Sequence, residues 1–327
     1  GEKIIEKLNK VSANLTHLEK IYTIKDVAGC QKFSDLLEKG KKCVDINQLY
    51  ALKSAVRPED VSSLIYTSGA TGIPKGVLLS HKNIVSQIDG IKDIPSEWSK
   101  KAFSFLPLCH AYERLLIFMY QYLGMSVYYA QNIATVMEDL VEVRPSMMTT
   151  VPRVLEKIFD RVYNSGKKFS GNKKKIFYWA MNLAQQYKVN PRERTLLYNF
   201  KLKIADQLVY KSIREHMGCE NFDIVVSGAA SLQPRIAAFF SAIKMPVFEG
   251  YGLTETSPVV TVCCRKKYGR EVGTVGFPLQ GVEVKIEPGT NEILCRGNNV
   301  MLGYYKNPEL TDKVIDKDGW FRTGDCG

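Results

Sequence analysis

The sequence is poor in histidine and has no recognisable cysteine framework. It contains four histidines and eight cysteines in 327 residues, with one adjacent pair, Cys263 and Cys264. No C-x-x-C spacing occurs, so neither a structural zinc site nor a disulfide scaffold is indicated. The longest apolar run, residues 115–130, is short for a bilayer span and contains Gln121 and Gly124. It predicts a core helix followed by a strand.

Acidic residues are scarce in one segment of an otherwise balanced chain. The formal charge is +11, and residues 153–215 hold fifteen Lys and Arg against five Asp and Glu. Such a block is either a solvated face or a patch for an anionic partner such as a phospholipid surface. The candidate patch consists of Lys167, Lys168, Lys173, Lys174 and Lys175.

No signal peptide is visible at the start of the chain, and the cysteines suggest reduced thiols. We therefore expect a cytoplasmic protein, with peripheral contact to the inner face of a membrane as a further expectation. A nucleic-acid partner is not expected. The oligomeric state stays open.

Apolar runs and helix-like segments alternate along the chain, which predicts an α/β fold. We expect mostly parallel sheets flanked by helices, followed by a small β-rich subdomain. The expected divisions are a lead-in at 1–60, a core at 61–255 with a basic helical insert at 153–219, and the β-rich subdomain at 256–327. Residues 167–175 contain Gly and Asn and predict a mobile loop.

The most informative segment is residues 66–77, YTSGATGIPKGV, which follows an apolar run; we expect a helix from about Asn83 to follow it. Hydroxyls, glycine N–H groups and one cation occur there in a composition that suits a triphosphate. The residues concerned are Thr67, Ser68, Gly69, Ala70, Thr71, Gly72 and Lys75. The Walker A spacing G-x-x-x-x-G-K-[ST] is absent. An ordinary glycine-rich strand-to-helix turn is the alternative.

This segment resembles the phosphate-binding signature of the adenylate-forming superfamily of acyl-CoA synthetases, peptide-synthetase adenylation domains and luciferase-type enzymes. Ala70 stands where that signature commonly has Thr. Three later segments are similar to further motifs of the family, in the same order: SGAA at 227–230, EGYGLTET at 249–256 and DGWFRTGD at 318–325.

The resemblance implies an ATP site, a metal site and catalytic residues. ATP would be bound by the loop together with Gly228, Ala229, Ala230, Glu249, Gly250, Tyr251, Gly252, Thr254 and Asp325. Tyr251 would stack on adenine, Thr254 would contact the α-phosphate, and Asp325 would hold the ribose hydroxyls. Thr67 and Glu255 would hold Mg²⁺, because hard cations prefer oxygen ligands. Thr254, Glu255 and His110 are the candidate catalytic residues.

The segment PLCHAYER at 107–114 resembles the border of the acyl pocket in acyl-CoA synthetases. It lacks the Asp with which peptide-synthetase domains hold an α-amine, so an amino acid is not expected as substrate. His110 would lie near the substrate carboxylate, or it is a structural histidine. The insert at 153–219 is similar to that of bacterial long-chain acyl-CoA synthetases. This likeness implies a fatty acid as substrate, with ATP, Mg²⁺ and coenzyme A as co-substrate.

Three functions are therefore open. The first is the core of a long-chain fatty-acid–CoA ligase that forms acyl-AMP and then acyl-CoA. The second is a fatty-acyl-AMP ligase that loads a carrier protein, and the third is a nucleotide- and acyl-binding module without turnover. In the family a hinge and a C-terminal lid domain with a catalytic lysine follow the motif of Asp325. We therefore expect this chain to be part of a longer protein and to be weakly active or inactive without the lid.

Overall fold

The computed structural model describes residues 2–43, 45–68, 73–266 and 269–327. The chain divides into two compact units, one up to Arg57 and one from Pro58 onward. The first unit contains α1 (Glu2–Val11), β1 (Tyr22–Thr23), β2 (Gln31–Lys32), α2 (Phe33–Lys42) and α3 (Ile46–Ala55). Its two strands pair in parallel, with Tyr22 opposite Gln31.

The second unit begins with a hairpin and a capped helix. Strand β3 (Val61–Ser68) pairs antiparallel with β4 (Pro74–Ser80), and α4 (His81–Ile91) follows directly. Ser80 caps this helix, because its hydroxyl accepts a hydrogen bond from the backbone N–H of Asn83, at 3.1 Å, while the Asn83 side chain accepts one from the Ser80 N–H, at 2.8 Å. The helix expected near Asn83 is present, but the segment 66–77 leads into it through a strand, because residues 74–77 are the first part of β4.

A seven-stranded sheet forms the centre of the second unit. Its elements up to the basic insert are β5 (Lys101–Ser104), α5 (Ala111–Tyr122), β6 (Ser126–Tyr129), α6 (Val136–Val143) and β7 (Met147–Thr150). After the insert come β8 (Ile224–Ser227), α11 (Pro234–Ala242), β9 (Val247–Tyr251), β10 (Thr261–Val262) and β11 (Phe277–Pro278). The strand order is β11-β10-β9-β8-β7-β5-β6, parallel from β6 to β9 and antiparallel at β10 and β11. The predicted α/β class is thus confirmed.

Helices cover both faces of this sheet. Neighbouring strand residues point to opposite sides, so Phe103 and Met148 join one core and Ala102 and Met147 join the other. The first core contains residues of α6 and of the insert helices, and the second contains residues of α4 and α5. All four residues of β7 and all four of β8 are buried, as expected for parallel strands covered on both faces.

The insert consists of α7 (Pro152–Ser165), α8 (Gly171–Gln185), α9 (Leu196–Ala205) and α10 (Lys211–His216), with a π-helical turn at Asp206–Tyr210 joining α9 to α10. The mobile loop predicted at residues 167–175 is wrong. Residues 166–168 form a short 3₁₀ turn, and Lys173, Lys174 and Lys175 lie in the first turns of α8. Phe177 is buried in the core and stacks edge-on against Phe169 at 5.3 Å, which fixes this segment.

The last part of the chain is rich in short strands. Strands β12 (Val282–Ile286), β13 (Glu292–Gly297) and β15 (Phe321–Cys326) form a three-stranded sheet, and α12 (Pro308–Val314) precedes β15. Strand β14 (Gly303–Tyr304) instead pairs with β4 of the hairpin. Because β10 and β11 extend the central sheet, residues after 255 contribute to three sheets; the division at 255/256 stays a prediction. Among the described residues, no helix is both long and apolar enough to span a bilayer.

Candidate functional site

The hairpin β3–β4 carries the two ends of the phosphate-loop candidate. Thr67 and Ser68 end β3 and pair with Lys75 and Pro74 of β4. Gly69, Ala70, Thr71 and Gly72 lie outside the described residues. The hairpin therefore places two hydroxyl side chains and one lysine at the base of the same loop. The Lys75 ammonium lies 5.4 Å from the centre of the Tyr304 ring, which is within the range of a cation–π contact.

The turn after β8 contains the second group of candidate residues. Ala229 adopts a left-handed conformation with φ +69°, and both Ala229 and Ala230 are exposed. A side chain on Gly228 would lie 3.3 Å from the Tyr112 ring, so glycine allows this close approach. The hydroxyl of Ser227 is buried and has no hydrogen-bond partner among the described residues. A buried, unsatisfied donor next to a cavity is available to a ligand.

Strand β9 leads into the third group. The buried Glu249 carboxylate accepts a hydrogen bond from the Leu232 N–H at 3.2 Å and so ties the turn after β8 to β9. Burial raises the pKa of Glu249, although this backbone hydrogen bond opposes the rise. A Cβ atom at Gly252 would lie 1.8 Å from the Pro258 carbonyl oxygen, so no larger residue fits there.

Tyr251 joins β9 to the end of the chain. Its hydroxyl donates a hydrogen bond of 2.8 Å to the Asp325 carboxylate on β15. Burial of the ring and the adjacent Asp325 carboxylate raise the pKa of Tyr251 well above its usual value, so the phenol is the donor. The structure thus brings together an aromatic ring and a carboxylate that the sequence places 74 residues apart.

Glu255 lies in a 3₁₀ turn at Thr254–Thr256. Its Oε1 accepts a hydrogen bond from the Tyr304 hydroxyl at 2.9 Å, and its backbone carbonyl accepts one from the Met301 N–H, also at 2.9 Å. The ring that contacts Glu255 is the same ring that lies under Lys75. One tyrosine therefore links the candidate metal ligand to the base of the phosphate-loop candidate.

An apolar cavity of about 400 Å³ opens at the carboxyl ends of β7, β8 and β9, the usual location of ligand sites in α/β sheets. Several of the predicted site residues line it: His110, Gly228, Ala229, Gly250, Tyr251, Gly252 and Thr254. Most of the remaining lining is apolar, with Ile91, Leu116, Met119, Val226 and Val259 among its side chains. An elongated apolar ligand with one polar end would fit such a space.

Helix α5 presents its N-terminus to this cavity. His110 precedes the first turn, and His110, Ala111 and Tyr112 all line the cavity. Free N–H groups at a helix N-terminus favour an anion. Behind them, the fully buried Glu113 carboxylate accepts hydrogen bonds from the Ser104 and Thr149 hydroxyls. Burial raises the pKa of Glu113, and these two donors oppose that rise.

Three residues that contribute to this geometry were given no role from the sequence: Tyr304, Tyr112 and Glu113. Ser227 was identified only as part of the SGAA segment at 227–230. Tyr112 and Glu113 lie in the segment 107–114, whose likeness to an acyl-pocket border could have indicated them. Tyr304 belongs to the segment RGNNVMLGYY at 296–305, which resembles a family motif but predicts a structural role and not a catalytic one. The basic patch is separate from this site, because its helices cover the opposite face of the sheet from α4 and α5.

Within the described ranges, no group of three or more His, Cys, Asp or Glu side chains is arranged to hold a metal ion. A hard cation at Glu255 would therefore need oxygen ligands from elsewhere. Mg²⁺ is commonly bound by one or two carboxylates together with substrate phosphates. One carboxylate beside a phosphate-loop candidate fits that pattern.

These features define an α/β protein with a candidate ligand site where a loop-bearing hairpin, strand ends and an apolar cavity meet. The chain belongs to the AMP-binding enzyme family, whose family model matches residues 2–305. It is 30% identical over 355 residues to long-chain-fatty-acid–CoA ligase 6 of Rattus norvegicus, covering 99% of this chain and 49% of that protein. It is 34% identical over 308 residues to long-chain-fatty-acid–[acyl-carrier-protein] ligase AEE15 of Arabidopsis thaliana, covering 82% and 42%.

A solved malonyl-CoA ligase, described as a product complex with methylmalonyl-CoA and AMP bound, is 26% identical. It superimposes with a TM-score of 0.58 and covers 83% of this chain and 51% of its own. The chain thus spans about half the length, or less, of the relatives it matches.

Proposed function

We propose that this chain supplies the ATP- and acyl-binding core of a long-chain fatty-acid–CoA ligase. The observation that carries the proposal is the apolar cavity, because one continuous lining includes both apolar side chains and the motifs around Gly228, Tyr251 and Thr254. A fatty acid would place its chain in the cavity and its carboxylate at the motifs. Membership of the AMP-binding family and likeness to long-chain ligases support the same assignment.

ATP would lie across the strand ends with each part of the nucleotide near a matching group. The hydroxyls of Thr67 and Ser68, the loop 69–72 and Lys75 would hold the β- and γ-phosphates. The turn at 228–230 and the Tyr251 ring would enclose adenine. Asp325, held by the Tyr251 hydroxyl, would accept hydrogen bonds from the ribose.

Mg²⁺ would be held by Glu255, by the Thr67 hydroxyl and by phosphate oxygens of the bound nucleotide. When bound, it would neutralise charge that builds on the phosphates during reaction. The contribution of Tyr304 is to fix the Glu255 carboxylate through the 2.9 Å hydrogen bond. Such outer contacts orient a metal ligand before the ion arrives.

The proposed reaction has two steps. In the first, a carboxylate oxygen of the fatty acid attacks the α-phosphorus of ATP, the bond to the bridging oxygen breaks, and pyrophosphate leaves. Thr254, the α5 N-terminus and His110 border the space where that carboxylate would lie. In the second, the thiol sulfur of coenzyme A attacks the acyl carbon, AMP leaves and the thiol proton passes to solvent.

A carrier-protein thiol is the second candidate acceptor, because one relative is named as an acyl-carrier-protein ligase. Binding of nucleotide and acyl group without turnover is the remaining alternative for this 327-residue chain. We further propose a cytoplasmic location with peripheral contact to an anionic membrane through the lysines of residues 167–175. Surface attraction of this kind weakens as salt rises.

The test is pyrophosphate release with acids of increasing chain length, measured on this chain and on any longer natural form that contains it. We expect release to rise from short to long fatty acids, and Glu255→Gln to lower it while leaving the fold intact. Each acceptor, coenzyme A or acyl carrier protein, is then added to separate the two ligase candidates. Preference for amino or aryl acids over every fatty acid would refute the proposal.

A further inference from the structure

A second large depression lies on the other face of the sheet, between α6, α7, α8 and α10. It is a groove of about 1,080 Å³, larger than the cavity at the strand ends. Four of its side chains belong to the buried core: Phe177, Val209, Ile213 and Met217. Val141 and Ile176, each 39% exposed, form its apolar edges. This surface offers a hydrocarbon chain a long apolar contact.

The rim of the groove is basic. Arg161 on α7, Lys168 in the 3₁₀ turn and Lys173 on α8 all line it, against the single acid Glu138. None of these three cations forms an ion pair with any described residue. The Lys173 ammonium lies 4.5 Å from the centre of the Phe169 ring, so its charge is held at the boundary between apolar wall and solvent.

One wall of the groove has an unusual backbone. The π-helical turn at Asp206–Tyr210 places Leu208 and Val209 in the lining. Asp206 fixes this turn by accepting hydrogen bonds from Arg214 at 2.5 Å and from Lys244 at 2.6 Å. Single π-helical turns are rare and occur frequently at functional sites. This backbone feature is independent of the charge and apolarity of the lining.

We propose that the groove binds a long-chain acyl-CoA, with the acyl chain along the apolar floor and the phosphates of coenzyme A on the basic rim. A fatty acid carries one negative charge and needs one cation, whereas the rim presents three. The five lysines of residues 167–175 extend the positive charge along the same segment. A single-chain amphiphile with several phosphates matches both the apolar and the charged parts of the surface.

The identity of this ligand rests on the proposed function, because acyl-CoA would be the product of the reaction at the strand ends. The groove lies across the sheet from that cavity, so a bound product molecule would not occupy the substrate site. The groove is therefore a product-binding site separate from the substrate site, and the basic insert has a role besides the proposed attachment to membranes.

The experiment is calorimetric titration of the chain with palmitoyl-CoA below its micelle concentration, without AMP or pyrophosphate. We expect two binding sites, one in the cavity and one in the groove. Ile176→Asp and the double variant Lys168→Glu/Lys173→Glu should each weaken the groove site by roughly tenfold or more. The matched controls, Leu196→Asp and Lys201→Glu, alter exposed residues of α9 that do not line the groove, and they should bind as the wild type does.

Ligand variants separate the parts of the interaction. Myristoyl-CoA, shorter by two methylene groups, should bind the groove roughly fifteenfold more weakly, because each buried methylene contributes about fourfold in affinity. Coenzyme A alone and palmitate alone should both bind more weakly than palmitoyl-CoA. Thermal unfolding of each variant checks that the fold is retained.

The outcomes distinguish this inference from the proposed function. If palmitoyl-CoA binds at one site and the groove variants abolish that binding, the groove site is supported. The cavity then has no acyl ligand, and this result counts against the ligase assignment only. A single site that the groove variants leave unchanged overturns the groove. The groove site is also overturned if its variants abolish binding to phosphatidylglycerol vesicles but leave palmitoyl-CoA binding unchanged. The basic rim would then bind a membrane surface and not acyl-CoA.

Discussion

Replacement of Tyr304 by Phe removes one hydroxyl and retains the ring. The ring keeps its position under Lys75, 5.4 Å away, while the 2.9 Å hydrogen bond to Glu255 is lost. Tyr304 is 7% exposed, so water has little access to replace the hydroxyl. A hydrogen bond to a charged group contributes about 1.5–3 kcal/mol, and the partial exposure of Glu255 favours the lower end.

About 1.5 kcal/mol corresponds to a roughly tenfold change in an equilibrium constant. If Glu255 holds Mg²⁺, the Tyr304→Phe chain should need about tenfold more Mg²⁺ to reach half-maximal ATP binding. The assay is titration of a fluorescent ATP analogue at a series of Mg²⁺ concentrations. Binding measured without Mg²⁺ should change little, since the phosphate loop and Lys75 are untouched.

Tyr305→Phe is the matched control for this experiment. Tyr305 is the next residue along the chain, and its ring contacts Lys306 at 5.2 Å rather than Glu255. It should show wild-type Mg²⁺ dependence. An equal Mg²⁺ requirement for the wild type and the Tyr304 variant, with both folded, would refute the placement of the ion at Glu255.

Three further predictions concern other contacts. Tyr251→Phe frees the Asp325 carboxylate, so ATP affinity should fall about two- to tenfold, whereas affinity for the 2′,3′-dideoxy analogue should not change. Gly252→Ala places a methyl group 1.8 Å from the Pro258 oxygen, so urea unfolding should show a loss of about 3 kcal/mol, and an unchanged midpoint would contradict the close packing.

The third prediction concerns Asp206. Burial raises the pKa of its carboxyl group, but hydrogen bonds from Arg214 and Lys244 lower this pKa by more than burial raises it. The net pKa therefore lies below the usual 3.8. The resulting stabilisation is present above pH 3.8 and is lost as pH falls through the lowered folded pKa. Asp206→Asn should therefore reduce the free energy of unfolding at neutral pH and flatten its acid dependence. A variant that keeps the wild-type acid profile in pH-dependent urea unfolding would contradict this assignment.

The fold could be predicted from the sequence wherever a local pattern of residues determines the secondary structure. The buried, apolar strands β7 and β8 and the helices between them follow from hydrophobic runs and their spacing. Strand β4 was missed because it begins with Pro74 and contains Gly76, both unfavourable inside strands, although proline is tolerated at a first strand position. In residues 167–175, Gly and Asn favour a loop, whereas three consecutive lysines favour helix, and the helix forms.

The candidate site was predictable where one short segment carries one chemical role. Tyr304 shows the limit, because its hydroxyl contacts a carboxylate 49 residues earlier in the chain and its ring contacts a lysine on the hairpin. No local pattern specifies such a contact. It arises because β14 pairs with β4, which is a property of the tertiary fold.

The pairing of β14 with β4 also determines when the hairpin can complete its folding during synthesis on the ribosome. Leu78 of the hairpin pairs with Gly303, and the nearby Asn83 side chain donates a hydrogen bond of 2.7 Å to the Asn298 carbonyl, 215 residues later. At typical synthesis rates, that separation corresponds to roughly 10–40 s of translation. Throughout that interval one edge of β4 lacks its final partner. The nascent hairpin thus carries an open strand edge, the kind of surface that chaperones cover and that mispairs when they do not.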